Sequence, residues 1–151
     1  ERPDVLTYST PILNDDLEVT GPITAKIYAS SSAPDTDFYV ILVDVYPDGH
    51  TQYLTQGQLR ARYRNGMESP QLLNAGEIVE LDIVIQSTSN VFQKGHRLRI
   101  EITSSDYSRH ARNQNVEDEE GVTANTAVAH NKIHHTEVHQ SYIMLPIIPT
   151  R

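Results

Sequence analysis

The 151-residue chain reads as an all-β protein, a jelly-roll β-sandwich of two antiparallel sheets, and three observations lead there. Between Ser87 and Ser105, Leu98, Ile100 and Ile102 alternate with Arg97, Arg99, Glu101 and Thr103. Side chains of an extended backbone point to opposite faces at every step, so this pattern sorts one buried face from one wet face. Turn chemistry recurs between short apolar segments, at Gly21-Pro22, Pro47-Asp48-Gly49, Asn65-Gly66 and Lys94-Gly95-His96, where glycine and proline supply backbone angles that other residues avoid. Apolar residues almost nowhere recur at helical spacing.

The elements follow in order. Val5 to Ser9 is a short opening strand, and Pro11 keeps Thr10 out of the helical region. Leu17-Val19 and Ile23-Ala25-Ile27 alternate with Glu18, Thr20, Thr24 and Lys26, and Gly21-Pro22 between them marks a bend or edge bulge. Ser30 to Asp37 is a loop. Phe38 to Val45 is apolar on both faces, which suits a central strand covered on both sides. Pro47-Asp48-Gly49 then turns the chain into Thr51 to Gln56, a hairpin signature. Leu59, Ala61 and Tyr63 alternate with Arg60, Arg62 and Arg64, the pattern of a further strand ended by Asn65-Gly66.

After a loop from Pro70 to Gly76, Val79, Leu81, Ile83 and Ile85 line up against Glu80, Asp82 and Gln86, and the Ser87 to Ser105 unit follows. Asp106 to Asn125 is polar and without period. Ala127 to His135 and Ser141 to Ile148 close the chain, the latter halted by Pro146 and Pro149. About eight short strands joined by loops argue for a sandwich or jelly roll. The expected core is Leu17, Val19, Ile23, Ile27, Val40, Leu42, Val79, Leu81, Ile83, Leu98, Ile100, Ile102 and Leu145.

Composition narrows the function classes. A chain of this length buries enough surface to fold without disulfides or metal, and the absence of cysteine removes thiol catalysis and zinc ribbons while leaving the compartment undetermined. A net charge of −8 repels phosphate backbones, so nucleic acid is not an expected partner. No apolar run approaches the roughly 20 residues of a membrane helix, and no membrane partner is expected. The polar start Glu1-Arg2-Pro3-Asp4 reads as a linker, as at the edge of one domain within a larger protein.

The segment N-V-F-x-K-G-H-R-L-R-I-E-I-x-S-S, followed by Asp106, Tyr107, Ser108, Arg109 and Arg112-Asn113, resembles the C-terminal domain of the CocE/NonD hydrolases. That family includes cocaine esterase, X-prolyl dipeptidyl aminopeptidase and the α-amino-acid ester hydrolases. Leu6-Thr7-Tyr8-Ser9 with Asp16 to Pro22, Ser30 to Phe38, and Leu42 to Gly49 carry the likeness through the chain in family order. The resemblance implies a jelly roll of the galactose-binding type, residues 1–151 forming one C-terminal module of a larger enzyme. It implies a non-catalytic accessory role beside an α/β-hydrolase domain of the same chain, covering that domain and shaping its substrate cleft or supporting assembly. The parent would be an X-Pro dipeptidyl-peptidase or acyl esterase acting through a serine nucleophile, with no cofactor and no metal expected, and open to homo-oligomer formation.

The residues also bear on chemistry independently of that likeness. A serine hydrolase of this class shows its nucleophile in G-x-S-x-G at a sharp turn, and that pentapeptide does not occur. His130 and His134, and His135 and His139, stand four apart, a zinc-clamp spacing on a helix. On a strand the same spacing separates them by about 13 Å, and β-branched Ile133, Thr136 and Val138 favour strand, so solvated or interfacial histidines are expected. Glu117 to Glu120 offers hard oxygens without the spaced pattern of a calcium loop, and reads as a solvated loop. Arg60, Arg62 and Arg64 read as a wet strand face paired with carboxylates, Glu68 being near in sequence.

Asp106 to Asn115 stands out as the site. It follows a strand, is rich in hydrogen-bonding groups, and loops held by a rigid sheet are where binding surfaces are built. Its match to S-S-x-x-x-R-x-x-R-N implies that Tyr107, Arg109 and Asn113 dock the module onto its catalytic neighbour, although Tyr107-Ser108 and Gln114 stand where the family pattern carries proline. The alternative is a free-standing carbohydrate-binding jelly roll, for which eight tyrosines are offset by two phenylalanines and no tryptophan.

Overall fold

The computed structural model describes residues 2–118 and 124–149. Nine strands carry the fold: β1 (Leu6–Ser9), β2 (Leu17–Ser31), β3 (Asp37–Val45), β4 (Thr51–Arg60), β5 (Val79–Phe92), β6 (Arg97–Thr103), β7 (Asn131–Ile133), β8 (Tyr142–Met144) and β9 (Ile147–Ile148). Every pairing is antiparallel. The order is β1-β6-β3-β4-β5-β2-β7, with β8 and β9 also on β2.

This is one curled sheet by hydrogen bonding and two layers by packing. β1, β6, β3 and β4 form the first layer, and β5, β2 and β7 to β9 the second; the two meet at the single pair Gly57↔Ile85. Gly57 pairs with Val40 on its other side, so the backbone of β4 is pinched between two strands. A Cβ there would lie 2.4 Å from the Val84 carbonyl oxygen and 2.9 Å from Ile85 Cα, which only glycine avoids.

The core fills the space between layers with Val19, Ile23 and Ile27 of β2, Leu81, Ile83 and Ile85 of β5, Val40 and Leu42 of β3, and Leu98, Ile100 and Ile102 of β6. Leu17, Val79 and Leu145, expected at its heart, pack on its margin. Phe38 and Phe92 lie fully inside although the sequence reading left them out of the core. Phe92 closes β5 in the stretch read as a turn-and-motif segment, one residue before the reversal.

Four elements differ from expectation, each for a local reason. Leu17 to Ile27 is a single strand that continues to Ser31, kinked by a register shift between Gly21 and Ile23 as the Gly-Pro pair predicted. β5 runs on to Phe92 because Thr20 through Leu17 of β2 continue to pair with it. Arg97, Arg99 and Glu101 are half-buried and Thr103 is buried, so the second face of β6 is not wet. The expected strand over 59–64 ends at Arg60 and turns into a 3₁₀ segment, Ala61–Tyr63. The Ala61 amide donates to the Thr36 carbonyl and the Arg62 amide to Asp35 Oδ1, which draws the chain inward and breaks the alternation.

Candidate functional site

The polar loop 104–118 crosses the end of the sandwich where β4 and β6 end and β3 begins, and a cluster of opposite charges holds it. Arg62 is 7 % exposed and Asp35 1 %. Arg62 Nε donates to Asp35 Oδ2 at 2.8 Å. Its Nη2 reaches the carbonyls of Val116, Glu117 and Asp118 at 3.0, 3.2 and 3.1 Å. Beside it Arg60 grips Asp37 through two parallel bonds, Nε to Oδ1 at 2.8 Å and Nη2 to Oδ2 at 3.1 Å. A planar guanidinium matched to a carboxylate in this way gains direction as well as charge.

Asn113 stitches the two ion pairs together. Its Nδ2 donates to Asp35 Oδ2 at 3.1 Å and to Asp37 Oδ1 at 2.8 Å, while its Oδ1 accepts from the Asn115 amide at 2.8 Å. The amide is thus committed inside the module. Two aspartates and two arginines cancel, which is what permits such charge at low exposure.

The outer part of the loop is set by Asp106. Its Oδ2 accepts from Gln56 Nε2 at 2.9 Å and lies 2.9 Å from His110 Nδ1. Burial pushes this carboxyl up, but the bonds from Gln56 and His110 outweigh it and leave the group below the ordinary 3.8. Arg109 Nη1 donates to Gln56 Oε1 at 3.2 Å, and its guanidinium sits 5.0 Å over the Tyr53 ring. Tyr107 is 77 % exposed. Of the three residues singled out from sequence, Tyr107 and Arg109 therefore stand at the surface and Asn113 lies beneath them.

The arginine repeat pairs with carboxylates as expected, but not as a wet strand face. Arg60 and Arg62 pair with Asp37 and Asp35, not Glu68, and Arg62 is buried instead of lining a wet face; Arg64 bonds the carbonyls of Ala61 and Gln71. The signal that was available is the matched spacing, Asp35-x-Asp37 against Arg60-x-Arg62. Asp37 and Arg60 face each other in strand register, and the equal interval carries Asp35 and Arg62 together just beyond the strand ends.

The histidines lie along the edge of β2. His134 Nε2 is 2.9 Å from Ser30 Oγ, His135 Nε2 is 2.9 Å from the Tyr8 hydroxyl, and the His139 ring tilts against Tyr28. His134 has no carboxylate partner among the described residues, and Ser30 is a buried strand residue, so this pair lacks both the orienting acid and the exposed turn of a nucleophilic serine. Among the described residues no three histidine or carboxylate side chains converge on one point. Glu117 and Asp118 are exposed, and the remaining acids of that run, Glu119 and Glu120, lie outside the described residues.

Known proteins share this sequence and architecture. Cocaine esterase of Rhodococcus sp. (strain MB1 Bresler) is 46 % identical over 153 residues, covering 98 % of this chain and 26 % of that protein. The solved structure of an α-amino acid ester hydrolase superposes with a TM-score of 0.89 at 27 % identity, over 97 % of this chain and 26 % of the other. An aminopeptidase from the marine sediment archaeon Thaumarchaeota archaeon gives a TM-score of 0.87 at 28 % identity, over 98 % and 26 %. The chain spans about a quarter of the length of each of these relatives. The profile of the X-Pro dipeptidyl-peptidase C-terminal non-catalytic domain matches residues 1–144. With the all-β sandwich and the N-V-F-x-K-G to R-N run in place, the chain belongs to the family of C-terminal non-catalytic domains of CocE/NonD-type hydrolases.

Proposed function

We propose that this module packs on an α/β-hydrolase domain of the same polypeptide, an X-Pro dipeptidyl-peptidase or acyl esterase, and helps shape its substrate cleft or its assembly. The observation that carries the reading is a rigidly clamped loop that ends in exposed Tyr107 and Arg109. Exposed aromatic and arginine side chains are the residue types that anchor interfaces, and holding them in place beforehand lowers the cost of association. Asn113 serves this from within, by tying the loop to Asp35 and Asp37. The contribution to catalysis is positional, because a fixed neighbouring surface limits how a substrate can sit.

The test is Arg109→Ala in the full-length enzyme. Lost docking lowers the melting temperature and raises KM or lowers kcat; unchanged stability and turnover refute the reading. The isolated chain carrying the same substitution should melt nearly as before, since Arg109 contributes one bond to Gln56, one ring contact and a 3.8 Å ion pair with Asp106, all at an exposed side chain.

A further inference from the structure

Hydrogen bonding closes the curled sheet on one side only. β4 and β5 join the two layers at Gly57↔Ile85, whereas among the described residues no backbone ladder joins β1, the far edge of the first layer, to β7, β8 or β9 at the edge of the second. A side-chain contact bridges this seam instead. The Tyr8 hydroxyl lies 2.9 Å from His135 Nε2, and the two rings meet in a T-shape with 5.2 Å between centroids. Beneath the bridge is a cavity of about 300 Å³.

Strand register decides which side chains face it. Tyr8 stands opposite Ile100, Ile100 opposite Leu42, and Ile102 opposite Val40, and residues directly opposed in an antiparallel pair share one face of the sheet. From the second layer Ala25 and Ile27 point inward along β2, and Ile143 of β8 stands opposite Ala25. Tyr8, Ile100, Ile102, Ala25, Ile27 and Ile143 thus look into one interlayer space, and all of them line the cavity. The space is open to solvent: Tyr8 is 38 % exposed although it points between the layers, and Ile100, at 8 %, is the most exposed of the buried core residues.

Ala25 makes the room, since its single methyl stands between Ile23 and Ile27 on the inward side of β2. Close-packed interiors hold few voids larger than a water molecule, and an apolar cavity of about 150 Å³ already admits benzene. No lysine, arginine, aspartate or glutamate is among the described residues that line this one. At its rim Ser141 Oγ is committed, donating to the His134 carbonyl at 2.8 Å and accepting from the Tyr28 amide at 2.9 Å. Tyr142 stands opposite Lys26 on the outward side of β8. Tyr8 and His135 remain as the polar pair at the mouth, and a phenol oxygen paired with one imidazole can accept a further bond.

We propose that this seam binds a small uncharged molecule with a one-ring apolar body and a single hydroxyl. The body rests against Ile27, Ile100 and Ile143, and the hydroxyl donates to the Tyr8 oxygen. A carboxylate in the same place would be desolvated with no cation to pair with, which is costly.

The probe is p-cresol, titrated into the 151-residue chain and followed by isoleucine methyl shifts, with toluene and 4-methylbenzoate as controls. Saturable shifts at Ile27, Ile100 and Ile143 are expected with a Kd on the order of 1 mM, as suits so small a ligand, while the exposed Ile12 and Ile148 stay unmoved. Toluene binds about fivefold more weakly for want of the hydroxyl, and 4-methylbenzoate at least about tenfold more weakly. Tyr8→Phe, on an edge strand, keeps the ring and abolishes the preference for p-cresol over toluene. Ala25→Val places a β-branched residue that suits a strand, fills part of the cavity and weakens both ligands about tenfold. The full-length enzyme binds p-cresol with the same affinity as the 151-residue chain. Shifts that do not saturate, 4-methylbenzoate bound as tightly as p-cresol, a preference for p-cresol that survives Tyr8→Phe, an affinity unchanged by Ala25→Val, or binding that disappears in the full-length enzyme because other residues of the polypeptide fill the seam, each overturns the proposal.

Discussion

Replacing Arg62 with alanine tests the clamp most directly. The substitution leaves Asp35, at 1 % exposure, without its counter-ion and releases the carbonyls of Val116, Glu117 and Asp118. Breaking one partner of a buried ion pair costs about 3–5 kcal/mol. Asp35 keeps two donors, the residue-62 amide and Asn113 Nδ2, so the lower part of that range applies, about 3–4 kcal/mol. At roughly 2–4 °C per kcal/mol for a chain of this size, the melting temperature falls by roughly 6 to 16 °C. Thermal unfolding by circular dichroism reads the global loss, and amide exchange reads the local one, with residues 113–118 exchanging faster before the sheet does. Arg62→Lys should recover only part of the loss, because a single ammonium cannot bond a carboxylate and three carbonyls at once. A variant Arg62→Ala that melts within about 2 °C of the parent, with unchanged exchange in the loop, refutes the claim that this ion pair holds the site.

Three further outcomes follow from the same structure. Gly57→Ala drives a methyl into the Val84 carbonyl and Ile85 Cα, both backbone, and should destabilise by about 3 kcal/mol, the upper end of overpacking, in urea unfolding; an effect below about 0.5 kcal/mol would remove the crossing as the reason for glycine. Ile100→Asp places an unpaired carboxylate between the layers at a position 8 % exposed, and a soluble variant with a cooperative melt would refute the strand register. Asp106 titrates below its ordinary 3.8 in the folded chain, so its stabilising bonds are present above that value and are lost as the pH falls through the lower folded value. The melting-temperature gap between the parent and Asp106→Asn should therefore close on acidification from about pH 5 to about pH 3, and a gap that widens would contradict the sign.

Much of this molecule is legible in one dimension. Alternation along Leu98, Ile100 and Ile102 and the two-sided apolar run of Phe38 to Val45 specify strands and their inward faces, because a pleated backbone has a period of two whatever lies next to it. The bulge at Gly21, the turns at Gly49 and Gly95, and ten buried core residues out of the expected thirteen follow from such local rules. The loop carrying Tyr107 and Arg109 was visible as well, through lack of period and likeness to a family motif.

Pairing across long sequence separation decided the rest. The partnership of Arg62 with Asp35, 27 residues away, and with carbonyls more than 50 residues away, turns a presumed wet strand into a buried clamp. The continuation of β5 to Phe92 exists because β2 is there to receive it, and Gly57 is required only because β4 and β5 meet backbone to backbone at that point. Local propensity acts through neighbours along the chain, whereas charge neutralisation, close backbone approach and enclosed volume depend on which strands come to lie side by side.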